Sequence, residues 1–408
     1  VWAEPDMVAR AAKEFSELPG MMKAGENLFG LYPWGRYDIL VLPPAFPYGG
    51  MENPCLTFLS PSIVAGDKSM TTTVAHELSH SWTGNLVTNA SWSDFWINEG
   101  WTVYAEDRIN EELYGRDQAN LRLMLMELEF VRDMKRFLPK TPLYTALRPD
   151  IYTAHPDDAF SRVPYFKGAM FLKALEKEVG RDVFDGMIAR YIDRYKFQSI
   201  TTREFLRFLS DHLGLGLLER ARAWEWVYEA GLPDNAPKLS STLADDVYAY
   251  TLSGSIPPKK TGAAWNASQW ILYLGAMTRT LSQEDVITLG VVFGLANSPN
   301  TEIRWAYLQL ALECKMLPAE VEFFLATQGR MAYLKPLYKA LAKLDPSFAR
   351  VVFEKAKAGY HPIAVRQLEQ VVRGDVVDVE AAARAHEEGA VVGDHRVAGG
   401  HVRRRRQG

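Results

Sequence analysis

The sequence is poor in cysteine, in long apolar runs and in net charge, and each of these absences excludes a class of protein. Only Cys55 and Cys314 are present, far apart in the chain, so there is no disulfide framework. The longest apolar stretch, 286–296, is interrupted by Thr288 and Gly290 and is too short to span a membrane. A formal net charge of -4 gives no general attraction to nucleic acid or to an anionic membrane. We therefore expect no nucleic-acid partner and no membrane insertion.

Two further absences concern the compartment and the extent of the chain. The scarcity of cysteine favours a reducing compartment, so we expect a cytoplasmic protein. Large secreted enzymes of bacteria also often lack disulfides, which leaves a secreted or periplasmic location open. The sequence has no initiator methionine and no signal peptide, and it opens on a helical pattern over 8–22. We therefore expect a piece of a longer chain without its targeting segment, and the oligomeric state is not indicated.

Apolar residues are abundant, and their spacing predicts the fold of the first half of the chain. The sequence is 48% hydrophobic and 12% aromatic, which is enough for substantial cores, and 408 residues suggest two or three domains. The runs 37–42 and 56–59 are typical of buried strands, whereas apolar residues recur at helical spacing from Ser69 onward. Two strands followed by many helices predict an α+β unit.

A domain boundary and a tail follow from local composition. Turn-forming residues at 231–237 predict the boundary, so the first domain should cover 1–235. Helix-length segments with short polar joints fill 282–344 without a fixed repeat period, and we expect an all-α domain of layered helices over 240–373. The remainder, 374–408, lacks aromatic residues and ends near a run of four arginines. This tail could bind an acidic partner, but such biased ends rarely pack, so we expect disorder.

A metal-binding motif lies in the first predicted domain, at His76-Glu77-Leu78-Ser79-His80. On a helix, residues i and i+4 stand on one face, so the imidazoles of His76 and His80 can reach a single ion. Glu77 projects roughly 100° around the helix, close enough to contact an attacking water without binding the metal. The motif also arises by chance, and the alternative is an exposed helix with two solvated histidines.

The third metal ligand must come from elsewhere, because zinc in a catalytic site usually takes three protein ligands. Glu99, in the segment WINEG at 96–100, follows His80 after 18 residues and is the candidate. Asp94 is predicted to begin the helix that carries Glu99. Glu106 stands on the same helical face and could orient an imidazole by hydrogen bonding. This spacing favours a site for one zinc ion per chain over solvated histidines.

A segment of small and acidic residues precedes the metal motif. Gly49 and Gly50 carry no side chain and would let the backbone of a substrate approach closely. After Met51, the carboxylate of Glu52 can bind an ammonium group, such as the amino end of a peptide. The alternative is that these residues form only a tight turn. We expect a substrate-binding segment at 49–52.

These motifs together resemble the signature of the gluzincin aminopeptidases, the aminopeptidase N-like metallopeptidases. Longer stretches are most similar to the branch that contains leukotriene-A(4) hydrolase and aminopeptidase B. The matching segments are GGMEN at 49–53, CLTF at 55–58, AGDKS at 65–69, SHSWTGNLVTN at 79–89, WINEG at 96–100, VPY at 163–165 and GRM at 329–331. The resemblance covers roughly residues 14–362 and is absent from the tail.

The resemblance implies a thermolysin-like catalytic domain, preceded in the family by a β domain and followed by a helical domain. The chain begins at the catalytic domain, and the absent β domain supplies part of the family's pocket for the amino end of the substrate. The implied activity is zinc-dependent hydrolysis of the N-terminal peptide bond of short peptides. Whether this fragment is active without the β domain is left open.

The resemblance also implies roles for three site residues. Glu52 would pair with the free α-amino group of the peptide. Tyr165 would stabilise the oxyanion, although a tyrosine after a proline is often only a packed aromatic residue. Arg330 would hold the C-terminal carboxylate of the peptide, with a surface salt bridge as the alternative.

The sequence departs from the family's epoxide hydrolase at two positions. Phe160 stands where that enzyme has a second tyrosine, and Ala332 stands where it has a lysine, although Asp157 matches the acid used in epoxide opening. Hydrolysis of a fatty-acid epoxide is therefore a weaker alternative to peptide hydrolysis. A non-catalytic peptide-binding protein is a second alternative, and the intact set of candidate metal ligands argues against it.

Overall fold

The computed structural model of the chain describes residues 1–151, 159–277 and 281–374. Within this part, buried apolar side chains form two cores. One extends from Ala11 to Val227, and the other from Leu121 to Val372. The first core lies between helices and a small sheet, whereas helices alone enclose the second. The fold class predicted from the sequence, an α+β unit followed by an all-α unit, is confirmed.

Five short strands form two sheets in the described chain. The strands are β1 Asp38–Val41, β2 Gly50–Met51, β3 Leu56–Leu59, β4 Val87–Asn89 and β5 Gln198–Ile200. β3 is central in the first sheet, with β1 parallel to it and β2 antiparallel, whereas β4 and β5 pair in parallel. β1 and β3 are the two strands predicted from the sequence. β2 has no second neighbour among the described strands, so it is an open edge.

The opposite edge of the sheet is covered by the first residues of the chain. The N–H group of Trp2 donates to the carbonyl of Ile39, and the N–H group of Val41 donates to the carbonyl of Trp2, both at 2.8 Å. An incoming extended segment could therefore add to the sheet beside β2 but not beside β1.

The helices of the first unit pack around this sheet. They are α1 Val8–Glu14, α2 Leu18–Phe29, α3 Thr71–Ser79, α4 Trp96–Tyr114, α5 Arg116–Phe137, α6 Gly168–Val179, α7 Arg181–Tyr195, α8 Thr202–Leu213, α9 Leu215–Arg220 and α10 Ala223–Tyr228. The prediction of one helix over 8–22 is wrong, because the helix is interrupted between α1 and α2. Pro19 lies in the first turn of α2, and its ring would clash with the carbonyl of Phe15 in a continuous helix.

The central helix of this unit is α4, which contacts α3, α5 and α6 and is buried over most of its length. It crosses α6 at a pair of glycines. A Cβ atom on Gly100 would lie 2.7 Å from the Cα of Gly168, and one on Gly168 would lie 2.8 Å from the Cα of Gly100. The two backbones are therefore in direct contact. This close crossing brings the residues just before α6 against the first turn of α4.

The second unit consists of helices in layers. They are α11 Thr242–Thr251, α12 Lys259–Ala264, α13 Ala267–Ala276, α14 Gln283–Val292, α15 Thr301–Glu313, α16 Glu320–Thr327, α17 Met331–Leu344, α18 Pro346–Ala356 and α19 Pro362–Arg373. The helices α11, α13, α15, α17 and α19 pack in that order, and α16 packs on α18 beside them. The predicted domain limits stay a prediction, and the predicted disordered tail after Gly374 lies outside the described residues.

The two units meet beside β2. A Cβ atom on Gly329 would lie 2.0 Å from the carbonyl oxygen of Pro44, and the N–H group of Met331 donates to the carbonyl of Pro47 at 2.8 Å. The loop before α17 is therefore seated directly on the loop before β2, which places Arg330 next to Gly49.

No helix in the described ranges is long and apolar enough to cross a membrane.

Candidate metal centre and cleft

Three side chains converge at the first turn of α4 and the end of α3. His76 and His80 stand one turn apart with their Nε2 atoms 3.2 Å from each other. The Oε2 atom of Glu99 lies 3.2 Å from Nε2 of His76 and 3.6 Å from Nε2 of His80. In a tetrahedral zinc site with bonds of about 2.0–2.2 Å, neighbouring donor atoms lie about 3.3 Å apart. The three donor atoms therefore fit one zinc ion, and zinc is the cofactor of this centre.

The other nitrogen of each imidazole is held by the protein, which leaves Nε2 for the metal. Nδ1 of His76 lies 3.0 Å from Oε2 of Glu106, as the sequence predicted. Nδ1 of His80 lies 3.0 Å from the carbonyl oxygen of Thr83 and 3.1 Å from the hydroxyl of Thr102. The two threonines were not predicted from the sequence, since a single threonine in a helix gives no signal of such a contact.

Glu106 is in turn fixed by a chain of polar contacts. It accepts a hydrogen bond from the hydroxyl of Thr72, which also accepts one from the amide of Asn110 at 3.0 Å. Nη1 of Arg122 donates to the Asn110 oxygen at 2.6 Å. The orientation of His76 is therefore tied to α5 through α4.

Glu77 lies beside this centre without joining the three converging atoms. It is buried, and an oxygen of Glu77, one of Glu52 and a nitrogen of His80 lie within 4.8 Å of one another. Burial raises the pKa of Glu77 to about 8; His76 lowers it, while the carboxylates of Glu52 and Glu99 raise it further. The carboxyl group therefore has a raised affinity for a proton.

The two glycines before Met51 are needed for reasons that the sequence did not reveal. A Cβ atom on Gly50 would lie 2.1 Å from Oε1 of Glu77, and one on Gly49 would lie 2.9 Å from Nη2 of Arg330. Side chains of the protein itself occupy these spaces. Met51 is 39% exposed on the open edge of the sheet.

Glu52 follows this edge and is positioned by the segment after α3. Its backbone carbonyl accepts a hydrogen bond from the amide of Asn85 at 2.7 Å. An oxygen of its carboxylate lies within 4.8 Å of an oxygen of Glu77.

Tyr165 lies in a π-helical turn, Val163–Lys167, immediately before α6. Its ring is stacked on the ring of His76 at a centroid distance of 6.2 Å, with edge contacts to Phe95 and Phe160. Burial raises the pKa of Tyr165 well above its usual value, and the carboxylate of Glu99 raises it further. The hydroxyl is therefore a protonated hydrogen-bond donor next to the metal centre at neutral pH.

Arg330 comes from the second unit and lies beside Gly49. Its Nη1 donates to Glu302 at 2.7 Å and to the hydroxyl of Tyr333 at 2.8 Å. The pair with Glu302 is largely buried, so the alternative of a surface salt bridge does not describe it. The edge of the guanidinium that carries Nη2 and Nε lies against Gly49.

Asp157, the acid implied by the resemblance, lies outside the described residues. Phe160 is exposed beside Tyr165, with ring centroids 6.4 Å apart, and Ala332 is exposed in the first turn of α17.

Asp94 does not begin α4, contrary to the prediction. The helix starts at Trp96, and Oδ1 of Asp94 instead accepts hydrogen bonds from the N–H group and the hydroxyl of Thr202 at the start of α8. The carboxylate therefore links α8 to the segment before α4.

Comparison with known proteins gives the family. The model of the Peptidase family M1 domain matches residues 14–224, and that of the leukotriene A4 hydrolase C-terminal domain matches residues 265–372. The chain belongs to peptidase family M1. The first match of this M1 chain contains all the candidate zinc ligands as well as Glu77 and Tyr165, and the second contains Arg330.

Relatives of this M1 chain include leucine aminopeptidase 2 of Yarrowia lipolytica, 38% identical over 393 residues, or 89% of this chain and 60% of that protein. Leukotriene A-4 hydrolase of Xenopus laevis is 35% identical over 89% of this chain and 62% of that protein. Among solved structures, yeast LTA4 hydrolase in complex with bestatin is similar with a TM-score of 0.84 and 30% identity, over 91% of this chain and 65% of that one. The chain thus spans somewhat over 60% of the length of the curated relatives it matches.

Proposed function

We propose that the protein is a zinc-dependent aminopeptidase that hydrolyses the N-terminal peptide bond of short peptides. The observation that carries the proposal is the placement of two acidic groups around one metal centre. Glu77 and Glu52 lie beside the zinc-binding set of His76, His80 and Glu99, within one cleft. The carboxylate of Glu77 can transfer the proton in the reaction, while that of Glu52 binds the free amine of the substrate.

The residues of the chain divide the chemistry among them. Zinc, when bound, lowers the pKa of water to about 7 and polarises the carbonyl of the scissile bond. Glu77 accepts the proton of the attacking water and delivers it to the leaving amine, because its carboxylate lies beside the metal centre without binding the metal. Tyr165 donates a hydrogen bond to the oxyanion that develops on the carbonyl.

The two ends of the peptide would be bound by groups of opposite charge. Glu52 pairs with the α-amino group, which makes the enzyme an exopeptidase. The extended substrate adds beside the open edge at Gly50 and Met51, where backbone hydrogen bonds need no particular side chain. Arg330 holds the C-terminal carboxylate through the donors that Glu302 and Tyr333 leave unused.

The test uses the full-length protein, because this chain spans only about 60% of the length of its curated relatives. A panel of aminoacyl-anilides should be hydrolysed, a chelator should abolish turnover and added zinc should restore it. Peptides with a free amino end should be cleaved, and their N-acetylated counterparts should be poor substrates. Equal cleavage of acetylated and free peptides would refute the role of Glu52.

Hydrolysis of a fatty-acid epoxide is the second candidate, favoured by the match to the leukotriene A4 hydrolase C-terminal domain. Phe160 and Ala332 argue that peptide hydrolysis exceeds it by a wide margin, since the lipid loses one polar contact and one positive charge. Direct comparison of the two turnovers decides between them. We also propose a cytoplasmic location, in keeping with the presence of only two cysteines in the sequence.

A further inference from the structure

A second arginine, Arg162, lies close enough to Arg330 to feel its charge and has no part in the mechanism above. Its Nε donates to Oε2 of Glu129 on α5 at 2.6 Å, and its backbone N–H donates to Oδ2 of Asp133 at 2.7 Å. These two contacts to one helix fix both the backbone and the side chain. The side chain is still 36% exposed, so its position is held without being closed off from solvent.

The guanidinium of Arg162 is seated on the ring of Tyr165. Its Cζ atom lies 5.2 Å from the ring centroid, and the same ring is stacked on the metal-ligand candidate His76. Arg162 is therefore one aromatic ring removed from the metal centre. Its Nη1 and Nη2 atoms make no hydrogen bond within the described part of the chain, which leaves two donors of a fixed planar group free for a ligand.

Three arginines act on the carboxylate of Glu129 at this position. Burial raises the pKa of Glu129, but the guanidiniums of Arg162, Arg132 and Arg330 outweigh it and lower that pKa. The positive charge of Arg330 also acts to lower the pKa of Arg162, as expected for like charges that lie near each other. Glu129 and Glu302 are each engaged by one arginine, and Asp133 accepts a hydrogen bond from the backbone of Arg162 rather than from its side chain.

From this arrangement we infer that Arg162 is a specificity-determining residue that binds an acidic side chain on the residue following the scissile bond. Arg330 would take the C-terminal carboxylate, and Arg162 would take the carboxylate of an aspartate or glutamate that projects past Tyr165. A planar guanidinium with two free donors is suited to two-point binding of a carboxylate. The preferred substrates would then be short acidic peptides. This inference rests on the proposed peptidase function.

The experiment compares isosteric tripeptides on the full-length enzyme, with Glu or Gln, and with Asp or Asn, in the second position. Because each pair differs only in charge, the ratio of kcat/KM within a pair reports the acidic preference alone. The wild type should favour the acidic member about tenfold, the size expected for one charge-assisted hydrogen bond. Arg162→Gln should bring the ratio to about one, and Arg162→Lys should keep part of it, since the charge remains but the planar geometry is lost.

Arg132→Gln is the matched control. It removes an exposed positive charge that also faces Glu129 but has no contact with Tyr165, so the acidic preference should persist. A ratio near one in the wild type, an unchanged ratio in Arg162→Gln, or an equal loss in Arg132→Gln would each overturn the inference. If the wild type did not hydrolyse aminoacyl-anilides at all, the proposed function itself would be contradicted. The failure of this inference and the failure of the proposed function are therefore distinguishable.

Discussion

Glu77 and the zinc-binding residues occupy neighbouring positions but have different chemistry, and this difference is testable at the level of one atom. Glu77→Gln keeps the shape of the side chain and removes its ability to accept a proton. Zinc content should stay at the wild-type level, because Glu77 is not among the three converging donors. Hydrolysis should fall by a factor of about 100 or more, the usual contribution of a general base. Turnover and bound zinc are measured on the same preparation, and retained activity would place the base elsewhere.

A second residue-scale prediction concerns Lys167, whose side chain is fully buried and which is the last residue of the turn that carries Tyr165. Its Nζ donates to the carbonyls of Thr145 and Glu229, both at 2.9 Å, and burial lowers its pKa to about 7. An unfolded lysine has a pKa of about 10.4, so between pH 7 and 10 the unfolded state binds more protons and stability rises with pH. The stability contributed by the buried, neutral amine of Lys167 is fully present above the pKa of the unfolded lysine, and it is lost as the pH falls toward 7.

The measurement is denaturant unfolding of wild type and Lys167→Met between pH 7 and 10. The difference between their free energies of unfolding should grow in favour of the wild type by roughly 1 kcal/mol per pH unit. Effects of other titrating groups cancel in this difference. The exposed Lys140→Met is the matched control and should leave the wild-type slope unchanged. Parallel pH profiles for wild type and Lys167→Met would show that the amine is not kept neutral by burial.

At the scale of helices, the crossing of α4 and α6 positions Tyr165 against Glu99. Gly100→Ala would place a methyl group 2.7 Å from the backbone of Gly168, which no side-chain movement can relieve. We expect destabilisation by about 1–3 kcal/mol, typical of overpacking, and a loss of turnover larger than the loss of zinc. Thermal unfolding and activity measure the two effects.

Gly186→Ala is the control for this prediction. Gly186 lies inside α7 and is exposed, and an added Cβ would meet nothing within 4 Å. Alanine is favoured over glycine in a helix, so this variant should be more stable by about 0.5–1 kcal/mol. If both variants shifted stability in the same direction, the account of the crossing would be wrong.

Sequence patterns predicted those parts of the fold and site that depend on local spacing. The strands at 38–41 and 56–59 follow from short apolar runs, and the layered helices and the contact between His76 and Glu106 follow from helical spacing. The helix break at Pro19 was also available in the sequence, but the apolar pattern outweighed it in the prediction.

Contacts between distant segments could not be predicted in this way. The Gly100–Gly168 crossing, the hydrogen bond of Thr102 with His80, and the seating of Arg162 on Tyr165 each depend on how elements pack. Asp94 shows the same limit, since its local pattern suits a helix start, while its actual partner, Thr202, is 108 residues away. Roles assigned to single residues therefore stay predictions until variants are measured.

At the scale of the whole molecule, the central claim is that α3 and α4 together hold one zinc ion through His76, His80 and Glu99. Elemental analysis of the purified, full-length protein tests it most directly, with His80→Ala measured alongside. We predict one zinc per chain in the wild type and loss of most of it in His80→Ala. The metal-free wild type should unfold nearly as the zinc-bound protein does, and it serves as the reference for a correctly folded chain without metal. Folded wild type without zinc, or full zinc retention in His80→Ala, would contradict the account.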